Sequence, residues 1–444
     1  MKQKLVLILL LFLLTALASC APGHSGSNII AFVRNGQLWT IDPDGANAFA
    51  IVTQSAPVAG YNWSPTHRLL AFRVLDSDFA KTSAAQHLSA DPLTGLIEDA
   101  PSTMNTIGVD GGTPITLAFS SPQVRYSNAI WNTSGTRLLY RQTSLASVAS
   151  PTSALWWVSQ NDQPGGIAAK TLPASYSIPS ISFTDMAIGN SNQGVFTTTI
   201  AGTNLHYLTH GSLAGHPLPA SLERVLWQPA HKQPAFLYAT ATSSRQASGA
   251  PNVRLILRTN DGATRTLTTC ACQQFAWSPD GNYILYSTGS NYTVVNLKNN
   301  SSFSIAGEDR SVPYWSPDSQ FLLLDGPHTL RLVHIATGQS KILLSDTAPP
   351  TPGPSTTGPS SLPAVNALLQ PAANNIWAAD SRHFLFLTHN RLLWQGQALH
   401  AGKGLYTAAI NSTGQPQGSP TVVDTGNDTQ AGWTYEDANT SFLF

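Results

Sequence analysis

The sequence predicts an all-β fold, a β-propeller of four-stranded antiparallel blades. Three observations predict it. A unit of Trp, polar turn and apolar strand recurs along the chain. Most copies run on into a hairpin of two further short strands. The copies return about every 40 to 50 residues, the period of a propeller blade. The 444 residues are ample for one ring.

The N-terminus comes first and reads as an export signal. Lys2 and Lys4 precede an apolar run over residues 5–17, too short for an ordinary membrane span. It ends in Leu17-Ala18-Ser19-Cys20, which is similar to the lipobox of bacterial lipoproteins. That similarity implies cleavage after residue 19 and a diacylglyceryl thioether on Cys20. Two acyl chains anchor stably, at about 0.8 kcal/mol per buried CH₂. A secretory signal cut nearby, with Cys20 incidental, is the plainer alternative. Residues 20–28 are small and polar and read as a tether, and the ring is expected over 29–444.

Residues 29–34, 37–41 and 47–52 read as three strands with no Trp unit before them. Asp42-Pro43-Asp44-Gly45 joins the last two. Its Gly comes too early for a calcium loop and the closing Glu is absent, so it reads as a turn. The chain ends in a Trp unit at Trp433 with no hairpin after it. The two incomplete pieces are expected to complete each other in one closing blade.

The first complete unit is Tyr61-Asn62-Trp63-Ser64-Pro65, followed by the strand Leu69-Leu70-Ala71-Phe72-Arg73. An insertion over 75–103 then separates its second and third strands. Its acidic residues Asp76, Asp78, Asp91, Glu98 and Asp99 could attract a cation, and a solvated loop is the plainer reading. The next unit is at Trp131. From there to Trp227 the chain has room for two blades, the second opening on Ile181-Ser182-Phe183-Thr184-Asp185 with Phe in place of Trp. On that count the reading takes eight blades over seven. His206 and His210 fall on one face of a strand, too far apart to share a metal.

Trp227 opens a unit whose hairpin turns at Asn260-Asp261-Gly262, a strong hairpin signal. Cys270 and Cys272 follow. Packed thiols, a disulfide made in a turn, and a soft-metal pair are all open readings of this spacing. The clearest unit is next: Trp277-Ser278-Pro279-Asp280-Gly281, then Tyr283-Ile284-Leu285-Tyr286. Pro presets φ, Asp bonds nearby backbone, and Gly takes the positive-φ position. Trp315-Ser316-Pro317-Asp318 repeats it with Ser319 in place of Gly. Residues 345–363 are rich in Pro, Ser, Thr and Gly and read as a stiff exposed loop. Trp377 and Trp433 carry the last, degenerate units.

The unit Trp-Ser-Pro-Asp-Gly followed by a strand resembles the propeller repeat of the TolB family of bacterial extracytoplasmic proteins. The same repeat occurs in prolyl-oligopeptidase-type peptidases. Trp277 to Gly281 carries it in full, Trp315 to Asp318 nearly so, and Trp63 to Pro65 in its first half. The resemblance implies the propeller fold and an extracytoplasmic address. It says little of function, because propellers host many.

Charged residues make up 10% of the chain and cancel to zero net charge, which argues against a nucleic-acid surface, since that needs a basic stripe. The sequence lacks a G-x-S-x-G elbow, a Walker loop, an HExxH motif and zinc spacing. Asp280 and Asp318 recur at one repeat position and read as turn caps. The repeated Trp63, Trp131, Trp227, Trp277, Trp315, Trp377 and Trp433 read as blade-packing residues. The expectation is therefore a binding or scaffold module. It is held to the bilayer through acylated Cys20, takes a protein, peptide or glycan partner, and uses no cofactor or metal. The alternative is an enzyme, glycan lyase or hydrolase-like, with its site in the central funnel. The insertion at 75–103 and the loop at 345–363 leave the ring on one end, which is the expected partner surface.

Overall fold

The structure is a computed structural model. It describes residues 24, 28–65, 68–86, 88, 97, 100–131, 135–147, 150–168, 181–184, 194–197, 206–207, 222–229, 235–245, 251–259, 263–272, 275–288, 290–308, 311–345, 369–370, 375–388, 392–399 and 403–434. These residues are almost wholly β, and every strand pairing in them is antiparallel. Residues 1–19, Cys20, His210 and 346–368 lie outside them, as do Asp91, Glu98 and Asp99.

The first three described strands and the last meet in one sheet. Ile30–Arg34, Gln37–Ile41 and Phe49–Val52 supply three strands, and Asp428–Trp433 supplies the fourth beside Ile30–Arg34. Ile30 faces Trp433 and Arg34 faces Asp428 across this pairing. Ile30, Ala31, Phe32 and Val33 are all buried, so this strand is apolar on both faces instead of alternating. The closing strand also touches both flanks: the Trp433 N–H donates to Asn375 O at 2.8 Å, and Trp63 Nε1 donates to Gly432 O at 3.1 Å.

The strands of each blade are lettered a to d in the order of pairing. Val58–Trp63, Leu69–Leu75, Ala100–Gly108 and Gly111–Ala118 follow the closing blade. Ile130–Trp131, Arg137–Ser147, Ser150–Gln160 and Ile167–Ala168 come next. A short strand, Val124–Tyr126, pairs with both sets and joins them into one nine-stranded sheet. Ile181–Thr184, Gly194–Thr197 and His206–Tyr207 form a three-stranded sheet where the extra blade was expected. Four-stranded sheets follow at Leu222–Trp227 to Thr264–Cys270 and at Phe275–Trp277 to Ser302–Ala306. The sheet from Val312–Trp315 to Ser340–Ser345 is extended at its edge by Leu393–Trp394 and Gln397–Ala398. The last sheet runs Leu369–Gln370, His383–Thr388, Gly404–Ala409, Thr421–Asp424. First strands of successive sheets approach one another: Ile181–Thr184 meets Ile130–Trp131 and Leu222–Trp227, and the latter meets Phe275–Trp277.

Three expectations need correction. The insertion is shorter than 75–103, because Leu75 ends one strand and Ala100 to Thr103 belong to the next. It is also not bare loop: Phe79–Lys81 and Ser83–Gln86 are single helical turns, nucleated where Asp76 Oδ1 accepts the N–H groups of Asp78 and Phe79. The stretch read as a tether is tied down at His24, whose side chain is fully buried. The open reading at Cys270 and Cys272 resolves to a disulfide, Cα–Cα 5.1 Å. Cys270 ends its strand and Cys272 lies beyond it, so the pair is free of the strand geometry that would keep two such thiols apart.

Candidate functional site

The strands alternate in direction, so the ring has two unlike ends. One carries the a–b and c–d turns. The other carries the b–c and d–a connections.

On the first end the repeat side chains are engaged with backbone. Ser278 Oγ donates to Asp280 Oδ1 (2.6 Å), which also accepts the Asn282 N–H (3.0 Å). Ser316, Asp318 and Gln320 repeat both bonds in the next blade. Gly281 has φ +67°, and at the matching places Ser319 and Ser381 adopt φ +58° and +59°. Those serines hold a left-handed conformation that costs about 1–2 kcal/mol for an L-residue, and each does something Gly could not. Ser319 Oγ accepts the N–H of Asp280 in the preceding blade (3.0 Å), and Ser381 Oγ accepts that of Asp318 (2.9 Å). Arg382 adds an ion pair to Asp318 at 2.9 Å. Asp380 Oδ2 accepts from His383 Nδ1, and this bond to the carboxylate is the main cause of the raised His383 pKa. Burial opposes the Asp380 charge, but this bond and the local N–H groups outweigh it and hold that carboxyl below its ordinary value.

The tryptophans repeat a second blade-to-blade bond. Trp131 Nε1 donates to Asn62 O, Trp277 Nε1 to Leu226 O, and Trp377 Nε1 to Tyr314 O, at 3.3, 3.0 and 3.0 Å. With Trp63 on Gly432, the acceptor is each time the residue before the preceding blade's Trp. Trp315 stacks on Tyr283 with ring centroids 6.2 Å apart, Trp433 is buried, and Trp227 closes its strand.

The second end carries a groove of about 330 Å³ between the last sheet and the closing blade. Leu387, Thr388, Lys403, Gly404, Gly426, Asn427, Asp428 and Thr429 line it. Beneath it three charges meet. Arg34 Nε donates to Asp428 Oδ1 at 2.8 Å, and Arg34 Nη2 pairs with Asp424 Oδ1. The guanidinium lies 4.9 Å from the ring centroids of both Phe32 and Trp39. Gly426 is glycine for room: a β-carbon there would come within 2.8 Å of Arg34 Nε and of Asp424 Oδ1.

One cation between two carboxylates separates their titrations. Burial pushes the Asp428 carboxyl up to about 6, with the neighbouring Asp424 charge adding and Arg34 opposing. Burial also works against the Asp424 charge, but the Arg34 bond and the Gly426 N–H outweigh it and hold Asp424 below its ordinary value. Burial disfavours the Arg34 charge too, and its two partners overcome that and raise its pKa. The arrangement holds charge in a fixed pattern under the groove. Lys403, Asn427 and Thr429 are exposed above it.

This cluster is absent from the sequence expectations. Arg34 and Asp428 stand almost a whole chain apart, and only the closing blade brings them together. Asp42, Asp44 and Asn47 form a hydrogen-bonded turn in which Asn47 Nδ2 donates to Asp42 Oδ2 (2.7 Å) and Asp44 Oδ1 accepts the Ala46 N–H. Among the described residues no group of three or more His, Cys, Asp or Glu could hold a metal ion. No helix among them is long and apolar enough to cross a membrane.

No family model matches the chain, and no curated protein matches it. Solved structures do. A eukaryotic initiation factor structure covers 91% of this chain and 98% of its own, at 10% identity and TM-score 0.49. An oligogalacturonate lyase in complex with manganese covers 70% and 94%, at 13% and 0.37. TolB from Acinetobacter baumannii covers 73% and 65%, at 12% identity and TM-score 0.34.

Proposed function

We propose that the chain is a membrane-anchored extracytoplasmic propeller that serves as a binding or scaffold module for a protein, peptide or glycan partner. Diacylated Cys20 is its anchor, and the b–c and d–a end is its contact face. One observation carries the reading. The a–b turns of the first end bond to one another from blade to blade, whereas the second end carries a groove rimmed by exposed Lys403, Asn427 and Thr429, with Lys403 bonded to Asn427 and Thr429 to Val33 O. The strands that flank the insertion at 75–103 and the loop at 345–363 end on that same side, at Leu75, Ala100, Ser345 and Leu369, and binding residues concentrate on loops held by a rigid scaffold.

The alternative is an enzyme with its site in the funnel, and Asp428 is the observation in its favour, since carboxyls displaced to about 6 suit proton transfer. Its side chain is fully buried and bonded to Arg34, which fits a structural charge better than an acid that touches substrate.

The test is capture from detergent-solubilised membranes and from immobilised oligosaccharides, comparing the protein with a Lys403→Glu, Thr429→Arg double variant. A partner held by the first and lost by the second supports the reading. Equal capture would move the contact elsewhere. Turnover of an oligosaccharide or peptide by the purified protein would overturn the binding-only role.

A further inference from the structure

His24 is docked on the ring by four separate contacts. Its Nδ1 meets Asp42 Oδ1 at 2.6 Å, and its Nε2 meets Thr40 Oγ1 at 2.8 Å. Its backbone N–H donates to Asp110 Oδ1 at 3.2 Å, and its ring stacks on Phe49 with centroids 5.1 Å apart. Thr40 Oγ1 in turn donates to Val109 O. Asp42 opens the c–d turn of the closing blade, and Val109 and Asp110 form the c–d turn of the next. His24 thus bridges two blades on the end that carries the a–b and c–d turns.

From this docking we infer that His24 clamps the lipid leash, so that the ring lies with its a–b and c–d turn end against the membrane and its groove end outward. The inference rests on the reading of Cys20 as the acylated residue. His24 is four residue steps beyond Cys20, and an extended chain spans at most about 3.6 Å per residue, so the anchor lies within about 14 Å of the clamp. Without the clamp the leash would run to the strand at Ile30 and reach about 35 Å, enough for the ring to turn over. Strands of five or six residues put the groove end about 20 Å farther from the bilayer. The partner surface then faces solvent and not lipid.

The test uses the full-length lipoprotein in vesicles carrying a headgroup-linked energy acceptor. Exposed Ala46, in the c–d turn, and exposed Thr425, at the groove end, are changed one at a time to Cys and labelled with a donor without reductant. Transfer from position 46 is expected to be several-fold more efficient than from 425. His24→Ala should bring the two values together while the protein still floats with the vesicles. A second variant leaves the His24 contacts intact and inserts about twenty Gly-Ser residues between Pro22 and Gly23, a coil of about 25 Å. It too should abolish the contrast, with an unchanged melting temperature. Equal transfer from both sites in the parent protein, or a contrast that survives the long linker, would overturn the orientation. Wild-type protein that does not float with vesicles would instead remove the lipidation on which it rests.

Discussion

Asp428→Asn separates the charge cluster from the rest of the fold by its pH dependence. A carboxyl that ionises at about 4 in the unfolded chain and at about 6 in the fold binds an extra proton in the folded state between those values. Stability from such a group is fully present below about pH 4 and is lost as the pH rises through about 6. Each pH unit in that window is worth about 1.4 kcal/mol, so about 3 kcal/mol disappears across it. Asp424 runs the other way, contributing above its unfolded pKa and losing that contribution as the pH falls. The variant keeps Asp424 and Arg34, so the difference between the two proteins isolates position 428. Urea denaturation at pH 4 and at pH 7 is the assay. The advantage of wild type over Asp428→Asn should shrink by about 3 kcal/mol between them. Parallel stability curves would refute the reasoning, since they would mean that Asp428 ionises alike in both states.

Removing the cation instead should do the reverse. Arg34→Met leaves two carboxylates together and should cost about 3–5 kcal/mol at pH 7 but less at pH 4, where Asp428 is protonated; equal losses at both would count against the shared-cation arrangement. Ser319 tests the blade-to-blade bond: Ser319→Ala keeps the left-handed backbone and strands the Asp280 N–H, costing about 1–2 kcal/mol. Ser319→Gly loses the same bond but relieves the backbone, so it should lie within about 0.5 kcal/mol of wild type; an alanine no worse than glycine in urea would contradict this. Trp63→Phe removes the indole bond to Gly432 that helps hold the closing blade, and should cost about 2 kcal/mol, read as an earlier urea midpoint; an unchanged midpoint would show that the bond is dispensable.

The architecture was legible because its signals are local. Ser278-Pro279-Asp280-Gly281 specifies its turn within four residues, and the missing first strand before Ile30 matched the unpartnered Trp433. The displaced boundary at Ala100 has a plain cause: Ala100 to Thr103 carry no alternation, and they are held in the strand by pairing with Val74, Leu75 and Tyr126. The joining of two blades through Val124–Tyr126, and of Leu393–Trp394 onto the edge at Ser345, likewise depend on partners far along the chain. Such additions cover strand edges that would otherwise be open to pairing.

The site was less legible for the same reason. Arg34 looks like the end of an ordinary strand, and Asp424 and Asp428 look like turn residues. Nothing in their neighbours shows that one cation serves both. His24 stands in a run of small polar residues where a tether was the natural reading. Its partners Asp42 and Asp110 belong to two turns that only adjacent blades bring side by side. A signal was nonetheless present, since His24 is the one large side chain between Cys20 and Ile29.

The measurement that bears most directly on the account is the mass of the N-terminal peptide of the protein recovered from membranes. A peptide that begins at Cys20 and carries a diacylglyceryl thioether is the predicted result, and both the address and the orientation of the ring depend on it. A mature protein recovered from the soluble fraction, with Cys20 unmodified or removed, would contradict the account.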